Sequence, residues 1–238
     1  MTIPTRLLQL IDEAVHAVRA HPQHDLNLGY RQAIWAALGA VADDPSEVKT
    51  IGHRRRSFLA NLTICHVLPI WKQQFPNDQT PERILTEAEM VLNGYVGDET
   101  ALEDFDDYWE YGQELAANSK SMAVAVEMGA TIALLTAIED ENFDPDCIDY
   151  RTTDSQEFDS NDASFFAAVA YANGPIWQIV AQPKSDSAKR QQFWEWWLTE
   201  AVPRTWQMYS KHSSSNKRNW RVEPNLASVA PFSRSFCS

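Results

Sequence analysis

Glycine is scarce in this chain, with eight residues among 238, and the glycine-rich loops that cradle phosphate groups are absent. The sequence contains no GxGxxG pattern, no Walker loop, no GxSxG nucleophile turn and no HExxH metal-binding pair. These absences argue against the common classes of nucleotide-binding protein, hydrolase and metalloprotease. We therefore predict that the chain is not an enzyme, and that it holds no cofactor and no metal ion.

Cysteine is also rare, and Cys65, Cys147 and Cys237 are widely spaced and odd in number, with no CxxC pair. This distribution does not support a disulfide framework or a zinc knuckle, and a reducing compartment is the simple interpretation. The amino terminus lacks the unbroken apolar core of a signal peptide. Residues 122–138 are apolar but carry Glu127 near their middle, so we expect no membrane span. We predict a cytoplasmic location.

Positive charge is the third shortage, because 20 lysines and arginines face 33 acids and leave a net charge of −13. A protein that binds nucleic acid needs a basic face to neutralise phosphates, so we expect no nucleic-acid partner. A basic protein is a partner that this charge permits. Solubility alone is the alternative explanation of an acidic composition.

The apolar spacing predicts an all-α fold, a single bundle of about eight helices around the Ala-rich helix 122–138. Within it, a second helix is expected to run past Val41, and Pro69 to kink or break a third helix over residues 49–74. We place the helical domain at residues 1–209. Residues 210–238 form a basic, Ser-rich, irregular tail that is disordered or lies along the acidic surface.

Residues 139–162 contain ten acids and a single arginine without a helical stripe, which predicts a loop or a partly disordered segment. Asp162 at its end is placed to cap the next helix. Farther on, residues 193–197 contain three tryptophans. Side chains about 100° apart cannot all face one core, so we expect Trp194 and Trp197 to be buried and Trp196 to face another neighbour or a partner.

The fifth predicted helix carries the densest set of acids. Glu103, Asp106, Asp107 and Glu110 are spaced three or four residues apart and share one helical face. A solvated face is the ordinary interpretation, and the functional one is an anionic docking surface for a basic protein. Three aromatic residues on the same helix are available as anchors for that partner: Tyr108, Trp109 and Tyr111.

The segment after the central helix extends the same hypothesis. This segment adds Asp144, Asp146, Asp149, Asp154 and Asp159. Because the two acidic stretches flank the central helix in sequence, we expect their near ends to lie close together. An EF-hand loop starting at Asp144 is excluded, because Asp149 stands where that loop needs glycine.

The basic cluster His53–Arg56 has two interpretations, an anion-binding site or a source of ion pairs for the acidic surface, and we prefer the ion pairs. His66 falls on the same helix near the core, where a packing role is the usual one for a single histidine.

Two segments carry a resemblance to a known family. Residues 66–81, HVLPIWKQQFPNDQTP, and residues 193–206, FWEWWLTEAVPRTW, resemble the fifth family of predicted immunity proteins from bacterial polymorphic toxin systems. The Ala-rich helix between them agrees with the helical character of that family. The resemblance covers the chain up to about Trp206 and leaves out the basic tail.

The resemblance implies a non-enzymatic inhibitor that binds and blocks a cognate toxin. A nuclease toxin is typically basic, so an acidic face could occupy its phosphate-binding cleft. The alternatives are a helical adaptor or assembly factor for another cytoplasmic protein and, third, a metal-dependent enzyme that uses clustered carboxylates. Composition and spacing do not indicate the oligomeric state.

Overall fold

The computed structural model describes residues 2–41, 49–156, 162–176 and 185–212, with side chains as far as residue 208. Its elements in chain order are α1 (Thr5–Ala20), α2 (Leu28–Leu38), α3 (Ile51–Gln74), α4 (Thr80–Leu92), α5 (Asp98–Asn118), α6 (Val124–Glu139), α7 (Ala163–Tyr171), α8 (Ser187–Trp196), a π-helical turn (Trp197–Ala201) and α9 (Val202–His212). The last three elements follow one another without a break. The described residues therefore form eight separate helical segments and no strand, which confirms the predicted all-α fold.

Helix α6 is the centre of the bundle and packs against α3, α4, α5 and α7. Twelve of its sixteen residues are buried, because neighbouring helices cover it on nearly every side. Ala130, Ala133 and Ala137 are completely buried, and a Cβ on Gly129 would lie 2.6 Å from Ile64 Cδ1. The small side chains thus allow the close approach of the surrounding helices.

The aromatic segment of α8 forms a second packing layer against α1, α3 and α7. Trp194 and Trp197 are buried, and their indole N–H groups donate to Asp25 (2.9 Å) and Thr63 (3.0 Å) respectively. Trp196 faces the other way and stacks on the His66 ring with centroids 3.6 Å apart. The predicted division of the three tryptophans is confirmed.

The predicted end of the second helix is wrong, and the break predicted at Pro69 as one of two outcomes does not occur. Helix α2 ends at Leu38 and does not continue past Val41, because Gly39 adopts φ 146° and turns the chain away. Helix α3 continues through Pro69 to Gln74. Pro69 is exposed, so water can solvate the carbonyl group that its missing N–H leaves free. Helix α9 reaches His212, the last described residue. The rest of the predicted tail lies outside the described residues, so the division between domain and tail stays a prediction.

Buried ion pairs hold the segment that follows α6, which we call the acidic loop (residues 140–156). The guanidinium group of Arg56 on α3 donates two hydrogen bonds of 2.6 Å to the carboxylate of Asp140 at the start of the loop. Arg31 of α2, itself fully buried, pairs with Asp154 and with Asp162. The segment is a loop as predicted, but its described part has a defined path, and Asp154 is an internal ion with 2% exposure.

The end of the acidic segment also starts the next helix. Asp162 accepts hydrogen bonds from the backbone N–H groups of Ser164 and Phe165, at 2.7 and 3.1 Å. This is the geometry of a helix N-cap, so the prediction that Asp162 caps α7 is confirmed.

Cys65 and Cys147 lie among the described residues. Cys147, in the acidic loop, is free and exposed, and Cys65 on α3 is half-buried.

Enlarging a small residue at the centre of α6 should disrupt the bundle. We expect Ala133→Leu to lower the free energy of unfolding by about 1–3 kcal/mol, since the site offers no space for three more carbon atoms. Ala116→Leu on α5 is the matched control, because Ala116 is exposed, and it should change stability by less than about 0.5 kcal/mol. Urea denaturation followed by circular dichroism measures both. Equal effects would contradict the central position of α6.

The buried arginine of α2 should matter far more than an exposed one. Arg31→Met leaves Asp154 and Asp162 buried without their cation, and we expect a loss of about 3–5 kcal/mol at pH 7. Arg19→Met removes the surface pair with Glu195, whose partners are 56% and 31% exposed, and should cost less than about 1 kcal/mol. Denaturation midpoints at pH 7 compare the two. A similar loss of unfolding free energy in both variants would show that the ion pairs of Arg31 do not stabilise the acidic loop more than a surface pair does.

Candidate functional site

Helix α5 is an outer helix with little of its surface inside the protein. It packs against α6 and, less extensively, α4, and only Ala101 and Gly112 are buried. Its 21 residues include eight acids and no lysine or arginine. Glu103, Asp106, Asp107 and Glu110 are all exposed, and we call these four residues the α5 acidic face.

The negative charge of this face has no partner within the described part of the chain. The ion pair that α5 makes there joins Asp98, at its first residue, to Lys49 at 2.9 Å, and none reaches the α5 acidic face. Like charges three or four residues apart destabilise a helix by a few tenths of a kcal/mol per pair. The fold thus maintains a surface that a cationic partner would stabilise.

The tyrosines of α5 mainly serve its attachment. Tyr108 is half-buried, and its hydroxyl donates to Glu87 Oε2 of α4 at 3.0 Å. Burial, together with the Glu87 carboxyl, raises the pKa of Tyr108 to about 12. Tyr111 donates in the same way to Asp78 before α4. Tyr108 therefore offers a partner part of its ring, and its hydroxyl is already engaged in the fold.

An apolar pair that the sequence reasoning missed lies beside the start of α5. Tyr95 is 62% exposed and Met90 is 38% exposed, and the Tyr95 backbone N–H donates to the Met90 carbonyl at 2.9 Å. The signal for it was the position of Tyr95 between Gly94 and Gly97, in a turn too short to bring an aromatic ring back to the core. Tyrosine and methionine are enriched at protein interfaces.

The acidic loop contributes a second set of exposed charges. Asp144, Asp146 and Asp149 are exposed, and their loop has a fixed shape. Asp144 accepts from the backbone N–H of Asp146, and Asp149 from that of Arg151, each at 2.9 Å. The bond from Asp146 holds the pKa of Asp144 below its ordinary value, so this carboxylate remains ionised at neutral pH.

The two acidic sets approach one another at one end. Lys49 donates to the Ile138 carbonyl at the end of α6 as well as to Asp98, so the start of α5 lies beside the start of the acidic loop. This is the end of α5 that is farther from α6 in sequence, not the near end that we expected there. Beyond that point the α5 acidic face continues along α5, whereas Asp149 and Tyr150 approach α2. A Cβ on Gly29 of α2 would collide with the Asp149 carbonyl.

A shallow cavity of about 350 Å³ lies between α1, α2 and the acidic loop. Leu10, Ala33 and Ile148 are among its apolar lining residues, and Arg6 and Asp146 are its charged ones. None of the described residues that line it is a histidine, cysteine or serine. These residues offer apolar contact and one charge of each sign, and they include no nucleophile paired with a base.

The histidines and the basic cluster of α3 have packing roles. His53 is buried, with Nε2 2.8 Å from the Thr136 carbonyl, and burial lowers its pKa. His66 is stacked on Trp196. The preferred interpretation of the arginines as ion-pair partners holds for Arg56, whereas Arg55 bonds to the Leu38 carbonyl and stacks on a tryptophan.

The described residues contain neither a candidate metal site nor a candidate membrane-spanning helix. Among them there is no group of three or more histidine, cysteine, aspartate or glutamate side chains placed to hold a metal ion. No helix there combines the length and the apolar character needed to cross a bilayer.

Comparison with known proteins gives one family. No curated protein matches the chain. The family model described as Immunity protein Imm5 matches residues 11–204, a range that includes α5, α6 and the acidic loop. This match covers well over half of the sequence, and the chain belongs to the Imm5 family of immunity proteins.

Proposed function

We propose that this chain neutralises a cognate toxin by binding it, without catalysis, in the cytoplasm, and that the α5 acidic face makes the principal contact. The observation that carries the proposal is the set of exposed acids on α5 that have no cationic partner in the described part of the chain. Membership of an immunity family supplies the class of partner, and the charge supplies its sign.

The partner that this surface fits is a basic protein. Opposite charge raises the rate of association between proteins, and an antidote must capture its toxin before the toxin acts. A toxin that cleaves nucleic acid carries a basic cleft for phosphates. Carboxylates on a regularly spaced helix could occupy that cleft in place of the nucleic-acid backbone, so we infer a nuclease as the class of toxin.

Affinity needs apolar contact as well as charge. A few aromatic and other large side chains usually provide most of the binding energy of an interface. Tyr95 and Met90 are exposed beside the start of α5, and they are the anchors we assign to the complex. The exposed part of the Tyr108 ring is a further contact on the same helix.

Reversing the charge of the α5 acidic face should weaken the complex. We expect the triple variant Asp106→Lys, Asp107→Lys and Glu110→Lys to lower affinity by roughly 100-fold or more at low salt, since attraction becomes repulsion. Its affinity should also depend less steeply on salt concentration. The measurement captures the partner from the native host with the tagged chain, identifies it by mass spectrometry, and determines Kd at 50 and 200 mM NaCl.

The matched control reverses three exposed acids on other elements: Asp12→Lys, Glu13→Lys and Glu200→Lys. This variant has the same net charge and should retain most of the affinity, because its changes lie away from α5. An equal loss in the two variants would indicate non-specific attraction and contradict the assignment of the surface. Capture of a partner with no toxic activity would favour the adaptor function instead.

The acidic loop should contribute a smaller share. Asp144→Asn, Asp146→Asn and Asp149→Asn together remove three charges while the asparagine oxygens keep the turn hydrogen bonds of the loop. We expect a loss of about two- to fivefold in affinity per charge, the size of exposed ion-pair contributions. The same Kd measurements provide the test. Unchanged affinity would confine the interface to α5 and its neighbourhood.

A further inference from the structure

A carboxyl group is buried under α5 with one of its oxygens unsatisfied. Glu127, on the central helix α6, has no exposed surface. Its Oε1 accepts from the Thr131 hydroxyl at 3.1 Å, whereas Oε2 is buried and has no hydrogen-bond partner. A buried carboxylate without compensation is costly, and such a group keeps its proton instead.

Helix α5 provides the cover over this group. A Cβ added to Gly112 would collide with Glu127 Oε2, so the backbone of α5 lies directly against the carboxyl. Gly112 is one of only two buried residues of α5. The helix therefore seals Glu127 from water, while its own large apolar side chains pack against the core only partly buried.

The charged and titratable groups that act on Glu127 come from α5 and from the turn between α3 and α4. Tyr111 of α5 and Asp78 of that turn both interact with it, and Arg83 of α4 acts on those two groups. No ion pair within the described residues reaches Glu127. Burial, opposed by the Thr131 hydrogen bond and aided by the charge of Asp78, raises the pKa of Glu127 to about 8.

We propose that α5 is a proton-linked flap, which closes on α6 while the Glu127 carboxyl is protonated and opens locally when that carboxyl ionises and takes up water. The opening exposes Oε2 and gives it the solvent partner that it lacks in the closed state. The flap is the same helix that carries the α5 acidic face, but this inference concerns the free protein and does not depend on the identity of a partner.

The direction of the pH dependence follows from linkage. A carboxyl whose pKa is higher in the closed state stabilises closure at low pH, and this contribution is lost as pH rises from the ordinary glutamate value towards about 8. Opening should increase by up to about tenfold per pH unit within that window, since one proton is released.

A second carboxyl between α4 and α5 acts in the same direction. Glu87 accepts from the Tyr108 hydroxyl, and its Oε1 is buried without a partner of its own. Burial and the neighbouring Asp104 carboxyl raise the pKa of Glu87 to about 7. Ionisation of Glu87 places two carboxylates side by side at the contact of α4 with α5, which also favours release of the helix.

Hydrogen exchange followed by mass spectrometry tests the flap. Protection factors of the α5 amides at pH 5.5 and 7.5, corrected for the intrinsic exchange rate, should fall by about 30- to 100-fold, while those of α1 change much less. In Glu127→Gln the protection factors of the α5 amides should lose most of their pH dependence. The change of severalfold that remains is the contribution of Glu87. Glu114→Gln, an exposed position of α5, is the matched control and should behave as the wild type.

Three results would overturn the flap: a change below about threefold in wild-type α5, an equal change in α1, or the wild-type dependence retained in Glu127→Gln. Should that variant fail to fold, carbon-13 NMR of the wild-type protein replaces it. The titration midpoint of the Glu127 carboxyl carbon should then coincide with that of the α5 amide signals, and separate midpoints would equally overturn the proposal.

Discussion

Two buried guanidinium groups determine the shape of the acidic loop. Arg31 and Arg56 reach from α2 and α3 to carboxylates at the two ends of the segment, and all these side chains are at most 5% exposed. Removing such charges from water costs several kcal/mol per ion, which close pairing and additional hydrogen bonds must offset. Arg31 and Arg56 also donate to backbone carbonyl groups, and these hydrogen bonds help to offset the loss of water around the two guanidinium groups.

This arrangement separates acids with structural roles from acids left for contact. Asp140, Asp154 and Asp162 lie inside the fold and neutralise arginines. The exposed aspartates between them extend from a backbone that those pairs hold in place. The α5 acidic face is organised differently, because its charges project from a helix whose large apolar side chains are only partly buried. That helix is attached in part through tyrosine hydroxyls that donate to carboxyl groups.

The sequence predicted the central helix because residues 122–138 are apolar around the whole circumference, a pattern that requires neighbours on every side. It also predicted the Asp162 cap, since N-capping depends on residues within one helical turn. It did not distinguish Asp154 from Asp149. Both are aspartates in one acidic run, and only the tertiary position of Arg31, 123 residues from Asp154 along the chain, makes one of them internal.

The candidate site was predicted in part for the same reason. The shared face of Glu103, Asp106, Asp107 and Glu110 follows from helical periodicity, and their exposure agrees with it. The hydrogen bond from Tyr108 to Glu87 depends on how α4 and α5 pack against each other. Helical periodicity gives no information on that packing. The burial of Glu127 was visible as an acid in an apolar helix, but its contact with Gly112 depends on the packing of two helices.

The absence of lysine and arginine along α5 also affects events that precede any contact. It concentrates negative potential along that helix. A cationic macromolecule that comes within a Debye length, about 8 Å at physiological ionic strength, is attracted most strongly where that potential is highest. In an encounter with a basic partner of the kind we propose, this attraction would favour approaches in which α5 faces the partner.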